Sequence, residues 1–241
     1  MRRILFSVFF FCVAFVATAQ TDTTTPTRIF RPMQTRSKDH LMIQFGAATW
    51  QNRPDSIKTK GFSRTFNIYL MLDFPFKTSP KLSVALGPGL ATDHVFLDKT
   101  TASVSENASA IRFRNLSDTT HFKKYKISTA FLEVPIELRF SSNPEEDGKS
   151  LKAAIGVKVG TMIAAWAKGK DLEDRSGNTT NEYVMKEKSK RFFNTNRISA
   201  TARLGYGHFT LFGSYSLTPL FKEGLGPKMN TLSLGLTLSG L

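Results

Sequence analysis

The segment FLEVPIELRF, residues 131–140, alternates strictly between apolar and polar positions. Its aliphatic residues and Phe140 share one face of a predicted β-strand, and Glu133, Glu137 and Arg139 share the other, because successive side chains of a strand point in opposite directions. Two folds produce this pattern. A soluble sheet turns its charged face to water, whereas a transmembrane barrel turns its apolar face to lipid and its charged face to the lumen.

The same period of two recurs after residue 38 and predicts eight strands. They cover residues 41–50, 63–74, 82–96, 126–140, 151–166, 196–206, 208–216 and 231–239. Most of them reach the roughly nine to eleven residues that a tilted strand needs to cross a bilayer. The connections 51–62, 97–125, 167–195 and 217–230 are long and fall at one end, and those at the other end are short. This asymmetry is typical of an up-and-down outer-membrane barrel.

Aromatic residues gather at both ends of the predicted strands. Phe74, Phe140, Tyr206 and Phe209 lie near the short turns, and Trp50, Trp166 and Tyr215 lie near the long connections. Two such aromatic girdles indicate a lipid-facing band. Ordinary core aromatics of a soluble protein are the alternative.

The polar faces of the strands carry charges of both signs, namely Asp73, Glu133, Glu137, Arg139, Lys158, Arg197 and Arg203. An eight-stranded barrel is just wide enough for side chains to fill, so we expect these charges to pair across a packed lumen. If Phe140 lies opposite Leu151 across the turn, Glu133 faces Lys158 directly. The sequence therefore predicts a lumen ion-pair network without an open channel.

Two prolines interrupt the predicted strands. Pro135 removes a backbone donor in the middle of its strand, and Pro88 does the same within LGPGLA. We expect a local bulge at Pro135 and a kink at Pro88, which its neighbouring glycines would ease.

The N-terminal residues resemble an export signal. Arg2 and Arg3 precede an apolar run, residues 4–16, and residues 17–19, ATA, form a small-residue cleavage site. Residues 20–38 are polar and include two prolines. We therefore expect a signal peptide over residues 1–19, a flexible periplasmic leader over 20–38 and an outer-membrane β-barrel over 39–241.

Composition narrows the class of partner. The single cysteine, Cys12, lies in the predicted signal peptide, so the exported chain has neither disulfides nor thiolate metal sites. The formal net charge of +14 suits an anionic surface such as lipopolysaccharide, although it is also explained by the solubility of long loops. Outer-membrane lipid and lipopolysaccharide are thus the expected partners, and nucleic acid is not.

Motifs for chemistry are scarce. The chain contains no phosphate-binding loop, zinc-protease helix, nucleophile elbow or calcium loop, so we expect no cofactor and no metal. One catalytic hypothesis is left, in which His94 or His121 acts with a loop serine as in small lipid-modifying barrels. Such catalysis needs a base within hydrogen-bond reach of the hydroxyl, and no spacing in the sequence identifies such a pair.

Several strands carry a family resemblance. The stretches LMIQFGAATW, YLMLDFPF, LSVALGPGL, FLEVPIELRF, AAIGVKVGTM and LSLGLTLSGL resemble the PorT-like outer-membrane β-barrel family of Bacteroidetes. The resemblance implies an eight-stranded barrel with a supporting role in protein secretion, and hence secretion-machinery proteins as partners. It assigns a function to none of the residues.

These observations favour an all-β protein with an eight-stranded antiparallel up-and-down transmembrane barrel and a packed polar lumen. The expected function is that of a non-enzymatic, structural or secretion-supporting component of the outer membrane. Two alternatives stay open. One is an outer-membrane lipid-modifying enzyme of the lipid A acyl hydrolase or transferase type, and the other is a soluble periplasmic lipocalin-like ligand-binding barrel.

Overall fold

The computed structural model describes residues 41–104 and 108–240, which form an all-β protein. The predicted signal peptide and leader lie outside the described residues. Thirteen strands occur in the described part: β1 (Leu41–Gln51), β2 (Arg64–Leu70), β3 (Leu72–Pro75), β4 (Leu82–Leu86), β5 (Gly89–Leu97), β6 (Thr100–Ala102), β7 (Phe113–Asn115), β8 (His121–Ser141), β9 (Leu151–Glu173), β10 (Thr179–Lys188), β11 (Asn196–Tyr206), β12 (Phe209–Ser216) and β13 (Asn230–Ser239). Among these residues there is no helix of the length and apolarity that a membrane span requires.

Eight antiparallel strands close into a ring. Strand β1 pairs with β13 and β2, and the ring continues through β5, β8, β9, β11 and β12 back to β13. Strand β3 extends β2, and β4 precedes β5, so each of these two pairs forms one strand of the barrel. Every predicted strand is present, and the predicted eight-stranded antiparallel barrel is confirmed.

The long connections contain structure that the sequence did not predict. Strands β8 and β9 run to 21 and 23 residues, about twice what a bilayer crossing needs, and β10 pairs with the far part of β9. Strands β6 and β7 form a separate two-stranded sheet. A three-stranded sheet of β8, β9 and β10 therefore rises beyond the barrel at the long-connection end.

The apolar face of each barrel strand points outward. In β8, Leu132 is 46% exposed and Leu138 is 43% exposed, whereas Glu133 and Glu137 between them are each only 1% exposed. Exposed leucine, isoleucine, valine and phenylalanine side chains continue around the other strands of the ring. This arrangement contradicts the lipocalin-like alternative, because a soluble barrel buries its apolar face and exposes its charges.

The barrel accommodates its prolines without the predicted bulge at Pro135. The pairs Leu86 with Ile136 and Gly89 with Glu133 keep one register across β4, β5 and β8. Pro135 therefore lies opposite the gap between β4 and β5, where the neighbouring ladder is already interrupted, and its missing donor needs no extra residue. The irregularity in the β8–β9 pairing lies elsewhere, opposite residues 130 and 131 of β8, and its extra residue is Ile163 of β9.

Pro88 interrupts its own strand as expected of a residue that lacks a donor. Together with Gly87 it separates β4 from β5. Its carbonyl still accepts a hydrogen bond from Leu70 N at 2.9 Å, so the contact with β2 continues across the gap.

The interior has two zones. Polar and charged side chains fill the barrel together with a small apolar cluster of Met42, Tyr69, Met71 and Ala85, and a large apolar cluster fills its long-connection end. We name this large cluster the apolar cap, and its buried members are Trp50, Ile57, Ala91, Val95, Leu97, Ala102, Val104, Ile111, Tyr125, Ile127, Phe131, Met162, Ala165, Ala167, Phe192, Phe193, Leu220, Phe221 and Met229. The cap unites barrel strands with the long connections and covers the polar zone at that end.

Candidate functional site in the barrel lumen

An ion cluster around Glu137 occupies the part of the lumen nearer the short turns. Arg203 Nε and Nη2 donate to the two carboxylate oxygens of Glu137 at 3.1 and 2.6 Å. Arg139 Nε donates to Glu137 Oε2 at 3.0 Å and its Nη1 lies 3.8 Å from Asp73 Oδ1. Strands β3, β8 and β11 supply these residues, so the cluster spans the barrel interior.

A second ion cluster surrounds Arg197 nearer the apolar cap. Arg197 Nε and Nη2 both donate to Glu133 Oε1, and Nη1 donates to Asp93 Oδ2 at 2.6 Å. The Tyr69 hydroxyl donates to Glu133 Oε2 at 2.8 Å, and the guanidinium lies 3.8 Å from the centre of the Phe131 ring. The cation thus contacts two carboxylates and the Phe131 ring of the apolar cap.

Lys158 lies between the two clusters but does not face Glu133 as predicted. Strands β8 and β9 pair Phe140 with Ala153, so Glu133 lies opposite Gly160, and Lys158 lies opposite Pro135. The predicted register is wrong by two residues because the hairpin continues through Ser141 and Ser142 before it turns.

The ammonium of Lys158 has neutral partners instead. Its Nζ donates to Gln44 Oε1 at 2.9 Å and lies 5.1 Å and 5.7 Å from the ring centres of Tyr69 and Phe212. Gln44 in turn donates to Thr237 and accepts from Asn67. Gln44 and Asn67 therefore extend the polar network beyond the charged residues that the sequence identified.

All seven predicted lumen residues lie inside the barrel. Six of them form ion pairs with one another or with Asp93, which the prediction omitted. Asp93 was missed because its inward neighbours in β5, Ala91 and Val95, are apolar. The alternation of its strand was the available signal, since Asp93 shares the face of those two residues.

Cavities in this network have room for single waters. One of about 20 Å³ lies beside Arg139, Lys152 and Arg203, and one of about 10 Å³ lies beside Glu133 and Lys158. Side chains therefore pack most of this part of the interior. Within the described residues, no group of three or more His, Cys, Asp and Glu side chains is arranged to hold a metal ion.

The residues predicted as aromatic girdles divide into two groups. Phe74, Phe140, Tyr206 and Phe209 lie exposed on the outside near the short turns. Trp166 and Tyr215 are partly exposed near the long connections. The membrane role of these residues stays a prediction.

Trp50 requires a correction. It is 4% exposed and belongs to the apolar cap, because it shares the inward face of β1 with Met42 and Gln44. Its position at the end of a strand suggested a girdle, but the alternation of that strand places it inside.

The two histidines of the catalytic hypothesis have different surroundings. His94 Nδ1 lies 2.8 Å from Ser128 Oγ on the outer face of the barrel, directly across the β5–β8 pair. Ser128 is, however, fully buried, which prevents a substrate from reaching its hydroxyl. His121 Nδ1 lies 3.0 Å from the Thr119 carbonyl oxygen and is itself buried.

Comparison with known proteins gives a family and two solved structures. A family model described as outer membrane protein beta-barrel domain matches residues 32–223. No curated protein matches the chain. The crystal structure of Ail, the attachment invasion locus protein of Yersinia pestis, has 12% sequence identity and a TM-score of 0.35 over 85% of this chain and 98% of that chain. The structure of Ail in complex with the heparin analogue sucrose octasulfate has 14% identity and a TM-score of 0.32 over 84% and 97%.

Proposed function

The chain belongs to the family of outer membrane protein β-barrel domains, and from this premise we propose that it serves the outer membrane as a closed structural barrel without catalytic activity. It is an integral outer-membrane β-barrel protein. The finer proposal concerns its lumen, which we infer does not conduct solutes.

One observation carries this proposal, namely the ion clusters that fill the lumen. Arg203 with Glu137 and Arg197 with Glu133 place two ion pairs, each made through two arginine nitrogens, in a barrel of eight strands. Barrels of this size are filled by side chains, whereas porins of about 16 strands leave an aqueous channel. The apolar cap adds a second obstacle at the long-connection end.

A planar bilayer measurement tests the closed lumen. The refolded protein should give no steady open current under conditions in which a porin of about 16 strands conducts. Heat modifiability on a denaturing gel, recorded on the same preparation, shows that the barrel is folded. Large, steady currents from folded protein would overturn the closed-barrel proposal.

The resemblance of its strands to PorT-like barrels supports a secretion role for this protein. We propose that it acts beside secretion-machinery proteins rather than as their conduit, because its lumen is filled. Export through a cleaved signal peptide over residues 1–19 is part of this proposal. Outer-membrane lipid and lipopolysaccharide are its proposed surroundings.

Depletion in the source bacterium tests the secretion role. Loss of the protein should reduce the amounts of proteins released to the medium, while periplasmic marker proteins stay inside the cell. Unchanged release would remove the secretion role but not the membrane barrel.

A lipid-modifying enzyme is the second candidate, favoured only by the 2.8 Å contact between His94 and Ser128. The buried hydroxyl argues against it, and a cross-strand polar contact needs no catalytic explanation. Mass spectra of lipid A from cells that carry His94→Ala or Ser128→Ala test this candidate. Unchanged acylation in both variants is expected, and a changed pattern in both would establish the enzyme.

A further inference from the structure

A row of three lysines crosses the outer face of the projecting sheet. Lys126 of β8 lies opposite Lys168 of β9, and Lys168 lies opposite Lys186 of β10. We call these three residues the lysine row. Strands in a sheet lie about 4.8 Å apart, so the row brings three cationic side chains within about 10 Å along the sheet.

The lysine row lies about 10 Å above the lipid-facing band. A strand tilted by about 40° climbs about 2.6 Å per residue, so an apolar band about 25 Å tall takes about ten residues of β8 upward from Phe140. The band thus ends near Ala130. Lys126 lies roughly 10 Å higher by the same measure, at the level of the lipid headgroups.

Two aromatic rings and one further cation lie beside the row. Lys126 Nζ lies 5.7 Å from the Phe96 ring centre, and Lys186 Nζ lies 5.7 Å from that of Trp166. Arg64 Cζ lies 5.8 Å from the centre of the Phe96 ring as well. Among the described residues, no carboxylate forms a salt bridge with a lysine of the row.

An anion from outside the chain would relieve the repulsion between the charges of the row. Like charges directly opposite each other destabilise a sheet pair. Burial, followed by the charges of Lys168, Arg64 and Lys186, lowers the pKa of Lys126. The other face of the sheet packs Tyr125, Ile127 and Ala167 into the apolar cap, so the β8 and β9 members of the row lie on strands with a packed inner face.

We propose that the lysine row binds the phosphate groups of lipopolysaccharide in the outer leaflet. The charge of the row is complementary to those phosphates, and its height places it beside them. Trp166 and Phe96 supply the interfacial aromatic contacts that are typical of this depth. The inference rests on the outer-membrane location and does not depend on a secretion role.

Binding of purified lipopolysaccharide to refolded protein in detergent tests the site. The triple variant Lys126→Gln, Lys168→Gln, Lys186→Gln is compared with a matched triple, Lys77→Gln, Lys81→Gln, Lys149→Gln, whose exposed lysines lie at the short-turn end. Both triples remove the same charge, so bulk electrostatics should be matched. Heat modifiability and circular dichroism confirm that each variant is folded.

We expect the row triple to bind lipopolysaccharide at least tenfold more weakly than wild type, and the matched triple to bind as wild type does. Dephosphorylated lipopolysaccharide should bind wild type as weakly as the row triple binds the intact lipid. Equal binding by the two triples, or full binding of the dephosphorylated lipid, would overturn the site. If the row triple fails to fold, the single variant Lys168→Gln takes its place with Lys149→Gln as its control, and an unchanged affinity would again overturn it.

Inorganic phosphate separates the lipid from a free ion. It should displace lipopolysaccharide only at concentrations far above those of the lipid, because the row meets several linked phosphates at once. Displacement at equal phosphate concentrations would show a free-phosphate site and overturn the lipid assignment. The outcome of the bilayer and secretion measurements does not affect these comparisons.

Discussion

Arg203 and Glu137 form a forked ion pair inside the barrel, with Nε and Nη2 of the arginine on the two oxygens of the carboxylate. Each side chain is at least 95% buried. Such a pair contributes little net stability when it is complete, because both charges have lost their hydration, but the loss of one partner is costly.

Replacement of Arg203 by Met should therefore lower the free energy of unfolding by about 3 kcal/mol, since it leaves much of the Glu137 charge uncompensated in a buried site. Urea unfolding in detergent or lipid vesicles measures the change. The control is Arg175→Met, which removes an exposed ion pair with Asp118 and should have little effect. Equal effects of the two substitutions would show that loss of the lumen pair destabilises the protein no more than loss of an exposed pair.

The lipid-facing band predicts that a charge placed on the outer face destabilises the protein more the deeper it lies in the membrane. Leu234 is 55% exposed near the middle of the band, so Leu234→Arg should destabilise the protein in vesicles by about 2 to 4 kcal/mol. Phe209 lies exposed near the short-turn edge of the band. There the charge introduced by Phe209→Arg should lower the free energy of unfolding by about 1 kcal/mol or less. A larger effect at Phe209 than at Leu234 would contradict the placement of the band.

Gly235 is required by close packing between β1 and β13. A Cβ atom there would lie 2.2 Å from the Phe45 carbonyl oxygen and 2.4 Å from the Cα atom of Gly46. These are backbone atoms of a paired strand, so they cannot move aside without disrupting the pairing of β1 with β13. Gly235→Ala should reduce the folded fraction in refolding assays. Gly213→Ala is the matched control, because its added methyl group would meet only the flexible end of Leu234, at 3.3 Å. Equal refolding yields for the two variants would contradict this explanation.

The burial of Tyr125 predicts that the protein loses stability at alkaline pH. Burial raises the pKa of Tyr125 to about 12, and its hydroxyl bonds to both the amide and the carbonyl of Ala102. The unfolded chain loses this proton near pH 10 while the folded chain keeps it, so stability falls between about pH 10 and 12.

Unfolding free energies of wild type and Tyr125→Phe, measured against pH, test this prediction. The advantage of wild type should be constant below pH 10 and should shrink by at most about 3 kcal/mol up to pH 12. If the two unfolding free energies changed in parallel over this interval, folding would not raise the pKa of Tyr125.

The sequence predicted the barrel well because its strands combine a strict period of two with one buried face. In β8, for example, a slip of one residue would expose Glu133 and bury Leu132 in its place. The register between neighbouring strands was harder to predict from the sequence. A shift of two residues keeps every face, so the hydrophobic pattern could not distinguish the pair Phe140 with Leu151 from the observed pair Phe140 with Ala153.

The apolar cap could not be predicted from the sequence, for a different reason. Its members from the long connections, such as Ile57, Val104 and Phe192, are single apolar residues or short runs in polar surroundings and follow no period. Only their tertiary packing brings them together. The same holds for the lysine row, whose members are separated by 42 and 18 residues in the sequence and become neighbours through the pairing of β8, β9 and β10.

The pairing of β1 with β13 has a consequence for assembly. Gln44 and Thr237, which are 193 residues apart in sequence, share a hydrogen bond across this junction, so the contact that closes the ring is among the least local in the chain. High contact order slows folding. Until β13 arrives, β1 and β12 each present an unpaired edge that hydrocarbon cannot satisfy. The barrel should therefore enter the bilayer only as its final strand docks, and a chain truncated before β13 should be held by chaperones or degraded rather than inserted.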